Sequence, residues 1–144
     1  MQVQQILKSK GTDSVVTVKP GTSVIDAARI LAEKRIGTVV ISSNGTKALG
    51  ILSERDIVYH VARTGPSVLT DKVDTYMTSN LVTCQLADSA DSVLERMTNG
   101  RFRHMPVVEE GEMVGLITLG DVVKARLSEL AMEKDALEGM IMGH

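Results

Sequence analysis

The sequence predicts an α+β fold (α/β-like) made of two pseudo-twofold-related βαββα repeats, each a small sheet with two helices. Three observations predict it. Residues 15–41 and 81–107 align, with Val16 and Thr17 falling on Val82 and Thr83, Ser23 on Ser89 and Arg35 on Arg101. Inside each copy the apolar spacing switches from helical to strand-like at the same place. Finally, "GILSERD" (Gly50–Asp56) is echoed by "GLITLGD" (Gly115–Asp121), which sets Gly50 on Gly115, Ser53 on Thr118 and Asp56 on Asp121.

The elements follow in order. "VQQILKSK" and "VDTYMTSN" are matching lead-in segments, and "VVTV" and "LVTC" begin each copy as strands. Val24, Ala27, Ala28 and Leu31 occupy positions i, i+3, i+4 and i+7, and Ala90, Val93, Leu94 and Met97 repeat that spacing, the apolar stripe of an amphipathic helix. Ser23 and Ser89 stand just before the stripes, where helix caps stand. Next come "GTVVI" or "MPVV", a polar Gly-containing turn ("SSNGTK" or "EEGE") and "ALGIL" or "MVGLI", which read as hairpins. A second helix closes each copy, "DIVYHVAR" and "DVVKARLSEL". Arg63–Lys72, with its Gly-Pro pair, reads as the linker. The organisation is therefore residues 1–68 for the first repeat with its lead-in, 69–131 for the second repeat, and 132–144 for a C-terminal helical extension. Neither repeat alone is comfortable as a core, so two copies must stack. In the extension Val123, Leu127, Leu130, Leu137 and Ile141 approach heptad spacing. Val123 and Leu127 are expected in the second repeat's own core, while Leu137, Met140, Ile141 and Met142 need another surface.

Composition narrows the function. The three aromatics, Tyr59, Tyr76 and Phe102, leave no stacking platform for single-stranded nucleic acid, and the net charge of -2 disfavours binding to polyanions. No apolar run approaches the roughly 20 residues that span a bilayer, and "MQVQQILKSKG" lacks the apolar core of a signal peptide. Cys84, the single cysteine, permits neither an internal disulfide nor a multi-cysteine zinc site. It matches Val18 of the first repeat and reads as a small strand hydrophobe. His60 has no partner at ligand spacing, so no metal is assigned. These features suit a cytoplasmic protein.

In "VVTVKPGTSVIDAARIL" with "GILSERD", and "LVTCQLADSADSVLERM" with "RFRHMPVV" and "GLITLGD", the chain resembles a tandem pair of CBS domains, a Bateman module, from about Val3 to about Leu130. The resemblance implies a stand-alone, ligand-sensing module. The ligands of such modules are adenosine nucleotides, with AMP first here and ATP, ADP or NADH next; S-adenosylmethionine serves some relatives. It also implies two clefts, each drawing phosphate and ribose contacts from one repeat and much of its base pocket from the other. One would pair Ser53, Arg55 and Asp56 with Val82, Arg103, His104 and Met105. The other would pair Thr118 and Asp121 with Val16, Ile36, Gly37 and Thr38. A homodimer built through the helices is likewise implied.

Ser53–Asp56 and Thr118–Asp121 also have the spacing of a capping box, in which side chains satisfy the first amides of a helix. The two readings are compatible, because a helix start also attracts anions. A hydroxyl there can donate to phosphate, an Asp can accept from a ribose diol, and Gly50 and Gly115 would allow close approach. "GRFRHMP" supplies Arg101, Arg103 and His104 where the first copy has only Arg35. The Asp56 cleft should therefore prefer more highly phosphorylated ligands. Against this, Arg101 and Arg103 could be solvated surface and His104 an interior hydrogen-bonded group. No G-x-S-x-G, H-E-x-x-H or Walker A pattern occurs, so no catalytic residue is assigned. The competing expectation is a ligand-free protein-interaction or oligomerisation module acting on a partner in trans.

Overall fold

A computed structural model describes residues 1–10 and 15–142. The element order is α1 (Val3–Ser9), β1 (Thr17–Val18), α2 (Val24–Lys34), β2 (Thr38–Ile41), β3 (Gly50–Ser53) and α3 (Glu54–Thr64), then a 3-10 turn (Pro66–Thr70) and α4 (Val73–Tyr76). It continues with α5 (Ala90–Gly100), β4 (His104–Glu109), β5 (Glu112–Thr118) and α6 (Leu119–Ile141). Both repeats thus run strand, helix, strand, strand, helix, although the first strand of the second repeat shrinks to one parallel bridge, Cys84 to Val107.

The chain divides into two compact units, and each holds a piece of the other repeat. The first-repeat unit comprises residues 15–82 and 110–114; the second-repeat unit comprises residues 1–10, 83–109 and 115–142. In the first, β1 pairs parallel with β2, and β2 pairs antiparallel with β3 in the register Thr38–Ser53 to Ile41–Gly50. Val24, Ala27 and Leu31 of α2 pack on Val39, Ile41 and Leu52 of that sheet. The segment between the repeats is structured: α3 extends to Thr64, and Val68 of the 3-10 turn is fully buried in this core. Strands β4 and β5 form a hairpin whose turn residues, Glu110 (φ 52°) and Gly111 (φ 80°), both adopt the positive φ of a tight twisted turn. The core of the second-repeat unit joins Val93 and Met97 of α5 to Met105, Val107, Ile117 and Val122.

The lead-ins cross over. Val3 and Ile6 of α1 are buried in the core of the second-repeat unit, although α1 precedes the first repeat in sequence. Val73 of α4, the lead-in of the second repeat, is buried in the core of the first. The anchoring bonds correspond one to one. The Val3 amide donates to the Asp88 carbonyl (2.9 Å) and the Ala90 amide to Met1 (2.9 Å), just as Val73 donates to Thr22 (2.8 Å) and Val24 to Asp71 (2.8 Å). Sequence order alone assigns residues 1–10 to the first repeat. Burial of their apolar face decides otherwise in space.

The expected stripe on α6 also sits differently. Val122 and Ala125 are the buried residues of that helix, whereas Val123 and Leu127 are exposed, Leu127 at 63%. The expectation that Val123 and Leu127 belong to the repeat's core is therefore corrected. The core-facing stripe begins one residue earlier and uses a small Ala where α6 meets α5.

Candidate functional site

The two strand-to-helix junctions are built alike. At Ser53 the extended backbone of β3 (φ -102°, ψ 160°) turns into α3; at Thr118 that of β5 (φ -105°, ψ 160°) turns into α6. Each forms a complete capping box. The Asp56 amide donates to Ser53 Oγ (3.1 Å) and the Ser53 amide to Asp56 Oδ2 (3.0 Å). The Asp121 amide donates to Thr118 Oγ1 (3.1 Å) and the Thr118 amide to Asp121 Oδ2 (2.9 Å). A further terminal amide is taken by the preceding loop, Glu54 donating to the Gly37 carbonyl (2.9 Å) and Leu119 to that of Arg103 (2.8 Å). Among the first three helical amides this leaves those of Arg55 and Gly120 as open donors. The helix starts are therefore less vacant than bare termini. An incoming anion would meet one amide and a hydroxyl that can rotate to donate.

Around this frame the other assigned residues are placed as follows. Arg55 and Arg103 are exposed, and among the described residues neither they nor Arg101 make an ion pair. Arg35 and Arg101 end α2 and α5 in the left-handed conformation (φ 53° and 56°), the usual place of Gly, and each amide bonds back to the last turn of its helix. Thr38 is buried in register with Ser53, and His104 is half-buried at the start of β4. Val16 accepts the Val40 amide through its carbonyl (3.0 Å), Ile36 packs on the first unit's core, and Val82 is exposed. Met105 is fully buried among the second unit's core residues, so its side chain is a packing element.

Two features went unread in the sequence. The first is a lysine. Lys10, just past α1, places Nζ 2.8 Å from Asp121 Oδ2 and 3.0 Å from the Leu116 carbonyl. Burial pushes the Asp121 carboxyl up, but the Lys10 hydrogen bond and the Thr118 bonds outweigh it, and the group lies below the ordinary carboxylate range. Asp56 has no counterpart, since the matching lead-in position is Asn80; the inequality is visible on aligning "VQQILKSK" with "VDTYMTSN". The second is the reason for two glycines. A Cβ on Gly50 would run into Met77, and one on Gly115 would stand 2.9 Å from Leu7 Cδ1. At both glycines it is the crossed lead-in that makes the close approach.

Cys84 is 2% exposed, and burial, partly offset by Arg96, raises its thiol pKa to about 11. That is a packed thiol and not a nucleophile at neutral pH. Among the described residues no cluster of His, Cys, Asp or Glu could hold a metal, and no helix is long and apolar enough to cross a membrane.

Comparison with known proteins agrees with this layout. The CBS domain family model matches residues 5–63 and 73–128. The CBS domain-containing protein CBSCBSPB2 of Arabidopsis thaliana is 31% identical over 137 residues, covering 94% of this chain, which spans about a quarter (25%) of that relative's length. The mitochondrial CBSX3 of the same plant is 29% identical, covering 98% of this chain and 72% of its own. Among solved structures, the CBS-domain containing protein ATU1752 from Agrobacterium tumefaciens is 46% identical with a TM-score of 0.82, covering 88% of this chain and 99% of its own. The CBS domain protein PAE2072 from Pyrobaculum aerophilum, solved in complex with AMP, is 26% identical with a TM-score of 0.77, covering 92% and 99%.

Proposed function

Because the chain belongs to the CBS domain family, we propose that it is a non-enzymatic regulatory module of the cytoplasm that senses energy state by binding an adenosine nucleotide, AMP first and ATP, ADP or NADH next. The observation that carries this reading is the duplicated junction, in which a capped helix start presents a hydroxyl, an open amide and an Asp. At the first junction Arg55, which makes no ion pair among the described residues, stands beside them. Phosphate suits the hydroxyl, the amide and the Arg guanidinium, and a ribose diol suits the Asp. The AMP complex of the Pyrobaculum relative supports the ligand class.

In the first-repeat unit the contacts we assign are Ser53, Arg55, Asp56 and Val82, with Val16, Ile36, Gly37 and Thr38. In the second-repeat unit they are Thr118 and Asp121, with Arg103, His104 and Met105, the last through its backbone. Lys10 already engages Asp121, so the carboxylate open to a diol is Asp56, with Arg55 beside it for phosphate, while Arg103 offers its guanidinium to phosphate in the second-repeat unit. Occupancy then shifts the balance of homodimer or partner-bound states by differential affinity. A second reading, a ligand-free interaction module, is favoured by the exposed apolar residues of α6.

Thermal unfolding with AMP, ADP, ATP, NADH and S-adenosylmethionine separates the two. A binder at about 100 times its Kd is stabilised by about 2.7 kcal/mol, and Arg103→Ala should weaken ATP more than AMP. An unchanged midpoint throughout the panel refutes nucleotide sensing. Equal AMP and ATP binding, indifferent to Arg103→Ala, refutes the assigned phosphate role.

A further inference from the structure

The carboxylates of the two capping boxes differ in how many hydrogen bonds they can still accept. Each carboxylate oxygen carries two lone pairs in the carboxylate plane. Asp56 Oδ2 accepts one bond, from the Ser53 amide (3.0 Å), and no cation pairs with this group among the described residues. One lone pair of Oδ2 and those of Oδ1 remain, so each oxygen can take one hydroxyl of a vicinal diol. Asp121 Oδ2 accepts from the Thr118 amide (2.9 Å) and also from Lys10 Nζ (2.8 Å), which uses both of its lone pairs. Only Oδ1 is left, enough for a single hydroxyl. Lys10 is itself held in place. Its ammonium also donates to the Leu116 carbonyl of β5 (3.0 Å), and the two side chains are only 27% and 21% exposed, so salt screens the pair weakly.

We infer, on the reading that these junctions hold nucleotides, that Lys10 is a specificity-determining residue of the second-repeat junction. It occupies the acceptor position that a ribose diol needs, and ribose is gripped by both hydroxyls there only after Lys10 has let go of Asp121. Two junctions with the same capping box thereby become unequal. The Asp56 junction distinguishes ribose from 2′-deoxyribose. The Asp121 junction, with one oxygen open, scarcely does so and binds adenosine nucleotides more weakly. Lys10 acts as a competitor of the sugar and not as a phosphate contact. Turning its ammonium to a phosphate would break both of its sheltered bonds, and the Thr118 hydroxyl, the Gly120 amide and Arg103 are already there to receive one.

Isothermal titration calorimetry of the full chain with AMP and 2′-deoxy-AMP tests it, in an Asp56→Asn background that leaves the Asp121 junction to be read alone. In that background the two ligands should bind within about threefold of each other, below the worth of one hydrogen bond to a charged group. Adding Lys10→Met should tighten AMP by about tenfold or more and open a preference for AMP over 2′-deoxy-AMP of about the same size, the gain of one such bond. Lys10→Ala, which asks for no space, should repeat the result. A lysine that merely steadied the fold would move both ligands alike. AMP binding that both Lys10 variants leave unchanged or weaken, or an equal gain for the two ligands, would overturn the proposal while the nucleotide reading stands. Absence of AMP binding in the unmodified chain and in every variant would overturn both.

Discussion

Lys10 and Asp121 make the two junctions chemically unequal through one residue. The folded carboxyl of Asp121 lies below its ordinary value, so its contribution to stability is present above the unfolded carboxylate pKa of about 4 and is lost as pH falls through the folded value. Acid unfolding of Asp121→Asn should therefore show a shallower slope with pH than the parent. Replacing Lys10 by Met removes the largest effect opposing burial. The Asp121 carboxyl, followed by its carbon chemical shift, should then titrate at a distinctly higher pH. If it titrates unchanged, the ion pair is not what holds it down. The Asp itself was legible from the repeated motif. Its partner was not, because pairing with a residue far away in sequence is fixed by where α1 docks, and no local spacing encodes that.

At the scale of elements, helix starts were the most readable feature. Ser23, Ser53, Ser89 and Thr118 all cap as their spacing indicates. Glycines were read less well. Gly50 and Gly115 lie in β-strands with ordinary φ, and what they avoid is a collision with Met77 and Leu7. Gly115→Ala should cost about 1–3 kcal/mol, as overpacking does, and Leu7→Ala in the same chain should recover part of that loss. Chemical denaturation of the two single variants and the double variant gives the coupling directly; additive losses would deny the contact. The face of α6 was misjudged for a related reason. Val123 and Leu127 match a heptad and a repeat core equally well on paper. Only the docking of Val122 and Ala125 on the second unit separates the two.

For the whole molecule, repetition displayed the fold and concealed its wiring. Two copies of one pattern suggest two self-contained halves, and periodicity carries no information about which half a flanking helix joins. The structure exchanges them: α1 completes the core of the second-repeat unit and α4 that of the first. Residues 1–68 produced alone lack Val73, Tyr76 and Met77 from the core and its margin, and should show no cooperative thermal transition. The same should hold for residues 69–144, which lack Val3 and Ile6. Mixed together, the two pieces should regain a cooperative transition. Independent folding of either piece would show that the exchanged helices are dispensable.

The same exchange sets a timetable during synthesis. Helix α1 is made first, yet its partners extend to Val122 and Ala125 near the far end of the chain. At about 5–20 residues per second, that interval lasts on the order of ten seconds. Until residues 84–97 are made, Val3 and Ile6 have no native surface to bury against, and the core they join closes only with Val122 and Ala125, while the first-repeat unit can close most of its core as soon as Met77 emerges. A nascent chain therefore carries α1 as an exposed apolar segment for much of this interval, the stage at which a chaperone would find it.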